Sequence, residues 1–132
     1  MPDGEVVQLR VRYPEVDRMG IAHHASHFVW FEIGRTELMR GKGITYRDLE
    51  DDGVFLPVIE AACVYHAPAR YDDLLRVITR VEEAGGVRVA FAYRVESEAD
   101  GRLLATGRTR HAAVDRAGRP RRLPAALRER LA

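Results

Sequence analysis

Asp17 stands in the stretch Val11-Arg-Tyr-Pro-Glu-Val-Asp17-Arg-Met-Gly20-Ile-Ala-His23-His24-Ala-Ser-His27-Phe-Val-Trp-Phe-Glu32, where a strand runs through a glycine-bearing loop into a helix. The first N–H groups of a helix have no intrahelical partner and carry the positive end of its dipole. They therefore suit an oxyanion or a polarised carbonyl. A carboxylate beside that point has two chemical uses. It can attack a carbonyl carbon as a nucleophile, or it can activate the water that does so. The spacing leaves both open, together with the plainer reading in which Asp17 only caps a turn.

Three histidines follow. His23 and His27 are four apart, the spacing at which two imidazoles share a helix face and hold a metal. His-His-Ala-Ser-His nevertheless departs from the zinc-protease pattern His-Glu-x-x-His, because His24 occupies the place of the general base. No cysteine ligand stands near, and no metal is expected. His23 is read as lining the site or capping the helix.

Apolar positions Phe28, Phe31, Leu38 and Met39, with small Ala25 and Gly34 among them, recur at helical spacing from about His24 to Arg40. Gly41 and Gly43 stop the run. Glu32 with Arg35 and Glu37 with Arg40 sit at pairing distance on what is expected to be the exposed face. A short helical turn is expected over Tyr46 to Asp51, with Thr45 as its N-cap. Ahead of the loop, residues 6–13 alternate as a strand that Pro14 ends. Beyond Val54 the texture is β: Phe55 to His66, Leu74 to Glu83, Val87 to Glu98 and Leu103 to Val114. Gly85-Gly86 and Asp100-Gly101 are hairpin turns, and Pro68 to Asp73 is a further turn. Strands joined by hairpins, with one long helix to cover them, give an α+β fold with an antiparallel sheet of about five strands. Glu60 and His66 fall in a strand that reads as buried and so need partners.

The chain of 132 residues fits a single domain, 1–132. Its 21 basic and 20 acidic residues leave a net charge of +1, so no global field draws in nucleic acid or an anionic membrane. The late arginines 116, 119, 121, 122, 128 and 130 read as a solvated tail. The one cysteine, Cys63, sits among small apolar residues and is expected to be a buried structural thiol in a reducing compartment. The N-terminus lacks a basic and an apolar leader region, and no segment is long enough to span a bilayer. A cytoplasmic location is expected.

The pattern Asp17-x-x-Gly20-x-x-His23-His24, followed by the aromatic helix start Phe28-Val-Trp30-Phe31-Glu32, resembles the signature of hotdog-fold acyl-CoA thioesterases of the 4-hydroxybenzoyl-CoA thioesterase-like branch. The blocks Gly53-Val-Phe-Leu-Pro57-Val-Ile-Glu60, Ala67-Pro68-Ala69-Arg70-Tyr71-Asp72-Asp73 and Ala105-Thr-Gly107-Arg-Thr109-Arg110-His111 follow in the order of that family. The likeness covers almost the whole chain. It implies a hotdog fold, in which the sheet wraps the long central helix, and hydrolysis of an acyl-CoA to an acid and free CoA. It also implies Asp17 as the catalytic carboxylate, with Gly20 and His23 in the loop and the backbone amide of His24 as the main oxyanion donor.

Several expectations follow from the resemblance. Phe28 and Phe31 are candidates for the floor of the acyl pocket. Arg70, Arg110 and Arg122 are candidates for the CoA phosphates, and Glu60 for an intersubunit bond or a role beside Asp17. No cofactor is implied, since CoA belongs to the substrate. Acyl-carrier protein is the alternative thioester donor. A homo-oligomer, dimer or tetramer, is expected, with the pocket between protomers. Two other readings stay open: a non-catalytic acyl-thioester binding protein, and a hotdog hydratase. The second is disfavoured because Ala22 stands where such hydratases carry a catalytic histidine.

Overall fold

In the computed structural model, which describes residues 4–132, β1 (Glu5–Arg10) leads through a one-turn 3-10 segment, Tyr13–Glu15, and the Asp17 loop into α1 (Ser26–Gly41). There follow α2 (Tyr46–Asp51), β2 (Val58–Tyr65), β3 (Leu74–Gly85), β4 (Arg88–Ser97), β5 (Leu103–Ala112) and α3 (Ala125–Leu131). The strands form one antiparallel sheet in the order β1-β3-β4-β5-β2. The α+β expectation therefore holds. Thr45 caps α2, its hydroxyl accepting the Asp48 N–H at 3.1 Å. Among the described residues no helix is long and apolar enough to cross a membrane. The N-terminal stretch, read from the sequence as lacking leader features, begins with residues 1–3, which lie outside the described residues.

Helix α1 buries Trp30, Phe31, Leu38 and Met39 against the sheet. Arg35 lies on the same stripe, four residues after Phe31, and is buried. Its Nε donates to the Tyr46 hydroxyl at 3.3 Å. The exposed pairing expected between Glu32 and Arg35 is thus corrected: only Glu32 faces outward, because helical spacing carries residue 35 inward. The Glu37–Arg40 pair does form, at 3.3 Å on the surface. Phe31 stacks on Tyr93 with ring centroids 4.4 Å apart and planes 10° from parallel. Gly107 of β5 makes room for this stack. A Cβ there would lie 2.2 Å from the Phe31 ring, far inside van der Waals contact.

Two expectations about burial fail. Strand β2 is the edge of the sheet, and Val58, Ile59, Val64 and Tyr65 are exposed, so Glu60 and His66 sit on an open strand, not a buried one. Cys63 is correspondingly half-buried. Burial still pushes its thiol pKa up, which keeps it protonated. The late arginines are not a free tail either. α3 buries Leu127 and Leu131, and the arginines around it hold backbone carbonyls near α2. Arg130 donates to Gly43 O at 3.0 Å, Arg116 to Glu50 O at 2.9 Å and Arg121 to Gly53 O at 3.4 Å.

Burial lowers the pKa of both His27 and His111. His111 lies between Leu56 O, 3.0 Å from Nδ1, and Thr109 Oγ1, 2.9 Å from Nε2. A depressed histidine pKa means the unfolded chain binds the proton more readily. That contribution to stability is complete above the ordinary histidine range and is lost as pH falls through the folded values. The Tm is expected to be lower at pH 5 than at pH 7.5. A flat Tm across that range in a calorimetric pH series would contradict the neutral burial of these two rings.

Candidate active site

The loop that carries Asp17 is closed by its own backbone. Asp17 N–H donates to Ile21 O at 2.9 Å, Gly20 N–H donates to Asp17 O at 3.0 Å, and Val16 bridges Ala22. Gly20 holds φ +76°, a left-handed conformation that favours glycine. Asp17 Oδ1 accepts the N–H groups of Met19 at 2.8 Å and Ile21 at 3.2 Å. Oδ2 takes no hydrogen bond from the described residues, and the side chain is exposed. The turn-capping role and an available carboxylate oxygen therefore coexist in one residue. Each uses a different oxygen.

The loop is fastened on both sides. Ala22 N–H donates to Ala69 O at 2.8 Å, Tyr71 N–H donates to Gly20 O at 2.9 Å, and Ile21 pairs with Arg70. On the helix side the anchor is Glu15, a residue that sequence reasoning missed. Its buried carboxylate accepts Arg12 N–H at 2.8 Å and Trp30 Nε1–H at 3.0 Å. Its carbonyl accepts His23 N–H at 2.7 Å and the Ser26 hydroxyl at 3.0 Å. Burial pushes the Glu15 carboxyl up, but the donors from Arg12 and Trp30 outweigh that and hold it below the ordinary range. No local pattern marks it, since Glu15 stands eleven residues before the helix that carries the sole tryptophan.

His23 behaves as a cap, its Nδ1 accepting Ala25 N–H at 3.2 Å. Its exposed ring lies 4.1 Å from that of His24, while His27 is buried against Trp30. The two rings that sequence spacing would converge on a metal thus point to different environments. The His24 N–H has no hydrogen-bond partner among the described residues, although the N–H groups of His23, Ala25 and Ser26 all do. His24 O accepts the Tyr65 hydroxyl at 2.7 Å and lies 3.2 Å from His27 Nδ1. Beside these groups is a cavity of about 310 Å³, walled by Ile21, Ala22 and His24 of the loop, His27 of α1, Tyr65 and His66 at the end of β2, and the segment 67–69.

The structure brings Asp17, Gly20, His23, His24 and the Arg70 backbone into one neighbourhood. The other candidates lie elsewhere in the chain. Phe31 faces Tyr93 and Gly107, and Phe28 packs edge-to-face on Phe31 at 5.8 Å, so other residues wall the cavity. Glu60 faces Arg110 across β2 and β5 at 3.8 Å. The loop meets β2 at Tyr65, about 16 Å further along the strand at ordinary rise. Arg122 sits by the turn at Gly86, whose carbonyl accepts the neighbouring Leu123 N–H, at the opposite end of β3 from the Arg70 turn.

Residues 11–131 match the sequence profile of the thioesterase-like superfamily. YneP of Bacillus subtilis is 36% identical over 109 residues, which cover 83% of this chain and 78% of that protein. The acyl-CoA thioester hydrolase YbgC of Escherichia coli is 32% identical over 87 residues, 66% of this chain and 65% of that one. Among solved structures, the DHNA-CoA thioesterase of Staphylococcus aureus is 29% identical, superposes with a TM-score of 0.85, and covers 89% of this chain and 79% of that one. The hotdog fold expected from the sequence is the fold observed.

Proposed function

Because the chain belongs to the thioesterase-like superfamily, a family of enzymes, we propose that it hydrolyses an acyl-CoA thioester to a carboxylic acid and free CoA. One observation carries the assignment of the site: an unpartnered N–H at His24 on the same loop as a carboxylate with one free oxygen. In this reading the thioester carbonyl oxygen accepts the His24 N–H, and the preorganised donor stabilises the negative charge that develops there. Asp17 Oδ2 either attacks the carbonyl carbon or removes a proton from the attacking water. The C–S bond then breaks and CoA leaves as a thiolate, which takes up a proton; on the nucleophilic route water next cleaves the mixed anhydride on Asp17, releasing the acid and restoring the carboxylate. CoA is substrate, and the residues named require no cofactor.

Arg70, beside the loop, and Arg110 and Arg122, further off, remain the proposed contacts to the CoA phosphates. Phe28 and Phe31 are proposed to shape the acyl pocket from behind. The exposed apolar residues of β2 supply a reason for self-association. We take the protein as a homodimer, or a tetramer built from dimers, with Glu60 available to bond across the interface. Acyl-carrier protein is the second thioester donor to be tried.

A free-thiol assay over aromatic and aliphatic acyl-CoAs of graded length tests the reaction. Turnover of one class is the expected result, and absence of turnover across the panel would overturn it in favour of simple acyl-thioester binding. Single turnover in 18O-water separates the two roles of Asp17, since only the nucleophile carries label into the protein. His23→Ala is expected to keep activity within about tenfold of wild type, because a capping side chain contributes far less than a reacting group. Chelators are expected to leave the rate unchanged, whereas loss in EDTA with recovery on zinc would restore the metal reading.

A further inference from the structure

We propose that the Tyr65 hydroxyl is the positioning group that aims the His24 amide into the site, tying the end of edge strand β2 to the loop at the start of α1. This rests on the reading of the His24 amide as oxyanion donor. The hydroxyl donates to His24 O at 2.7 Å, and it joins residues 41 apart in sequence. The Tyr65 ring stands edge-on to His27 at 4.7 Å, and His27 Nδ1 lies 3.2 Å from the same carbonyl. Two side chains from different elements therefore converge on one peptide oxygen.

The His24 N–H shares a rigid peptide plane with His23 O, which accepts Ser26 N–H at 2.9 Å, and His24 O belongs to the next plane; holding both planes fixes φ and ψ at His24, the hinge between them. That amide is the one backbone donor between His23 and Ser26 without a partner. Ala25, the residue at the helix boundary, supplies no side-chain cap of its own, and its N–H is capped from outside the helix by His23 Nδ1. The phenol pKa is pushed up to about 12 by burial and the neighbouring Cys63 thiol, which keeps the proton needed for donation at neutral pH.

Tyr65→Phe removes the hydroxyl and keeps the ring. Loss of an oxyanion donor itself costs about 10²–10³ in kcat. Loss of one of the two groups holding that donor is expected to lower kcat about tenfold, with KM unchanged and Tm nearly so. The same variant is examined by 15N NMR, where the His24 amide peak is expected to move and its order parameter to fall. An unmoved peak with an unchanged order parameter would overturn the proposal whatever the kinetics. A loosened amide with wild-type kcat would overturn its link to turnover. If wild type hydrolysed no acyl-CoA while the variant still loosened the amide, the positioning role would stand and the thioesterase reading would fall.

Discussion

Asp17→Asn is expected to lower kcat by about 10²–10⁴, the contribution of a positioned carboxylate acting as base or nucleophile, while the protein keeps its fold. The two functions of the side chain use separate oxygens, and Asn preserves one of them. Its carbonyl oxygen can still accept the N–H groups of Met19 and Ile21, as Oδ1 does at 2.8 and 3.2 Å. Stability should therefore change by about 1 kcal/mol or less. The check is kcat on the best acyl-CoA of the panel together with Tm for the same preparation. A variant turning over within a few-fold of wild type would remove Asp17 from the chemistry. A variant that lost both activity and Tm would mean the turn, not the reaction, had been broken.

The largest loss of stability is expected from Gly107→Val. Its Cβ would sit 2.2 Å from Phe31 Cε2 and 2.3 Å from Cζ, and 3.1 Å from Ala62 O on the neighbouring strand. Phe31 cannot retreat cheaply, since it is fully buried and stacked on Tyr93. Overpacking a filled core costs about 1–3 kcal/mol and more where the neighbours are rigid, so a loss of at least about 3 kcal/mol is expected. For a domain of this size that is a fall in Tm of roughly 10 °C. Phe31→Leu in the Gly107→Val background should recover part of the loss in a double-mutant cycle, because the smaller side chain vacates the space. Strict additivity of the two changes would show that the contact is not the cause.

The elements that declare themselves by spacing were legible in the sequence. The α1 stripe, the three hairpin-linked strands β3 to β5 and the Thr45 cap all follow from local pattern, and the Asp17 loop follows from Pro14, Gly20 and the helix after it. What stayed hidden depends on which faces meet. Arg35 reads as half of a surface pair, yet the turn of the helix takes it inward to Tyr46. The run through Val58, Ile59 and Val64 is apolar enough to be buried. Its burial depends on a neighbouring layer, and strand order places it at the edge. Leu123, Leu127 and Leu131 recur every four residues and mark α3, but the six arginines around them make the segment polar overall and mask that apolar stripe. Within the site, Asp17 and His24 were legible. Glu15 and Tyr65 were not, since each acts through a bond to a residue more than ten positions away.

The buried Glu15 also bears on the order in which the molecule assembles. Its bonds span 3, 11 and 15 residues, to Arg12, Ser26 and Trp30. The contacts that complete the far side of the sheet span much more, 55 residues for His111 with Leu56. Closing a short loop sacrifices less chain entropy than closing a long one. The segment from Arg12 to Trp30 can thus gather around its glutamate before β5 finds β2. Trp30 is the only tryptophan, so its fluorescence reports the burial of this segment during refolding. The segment proposed to bear the chemistry is also one that closes by short loops.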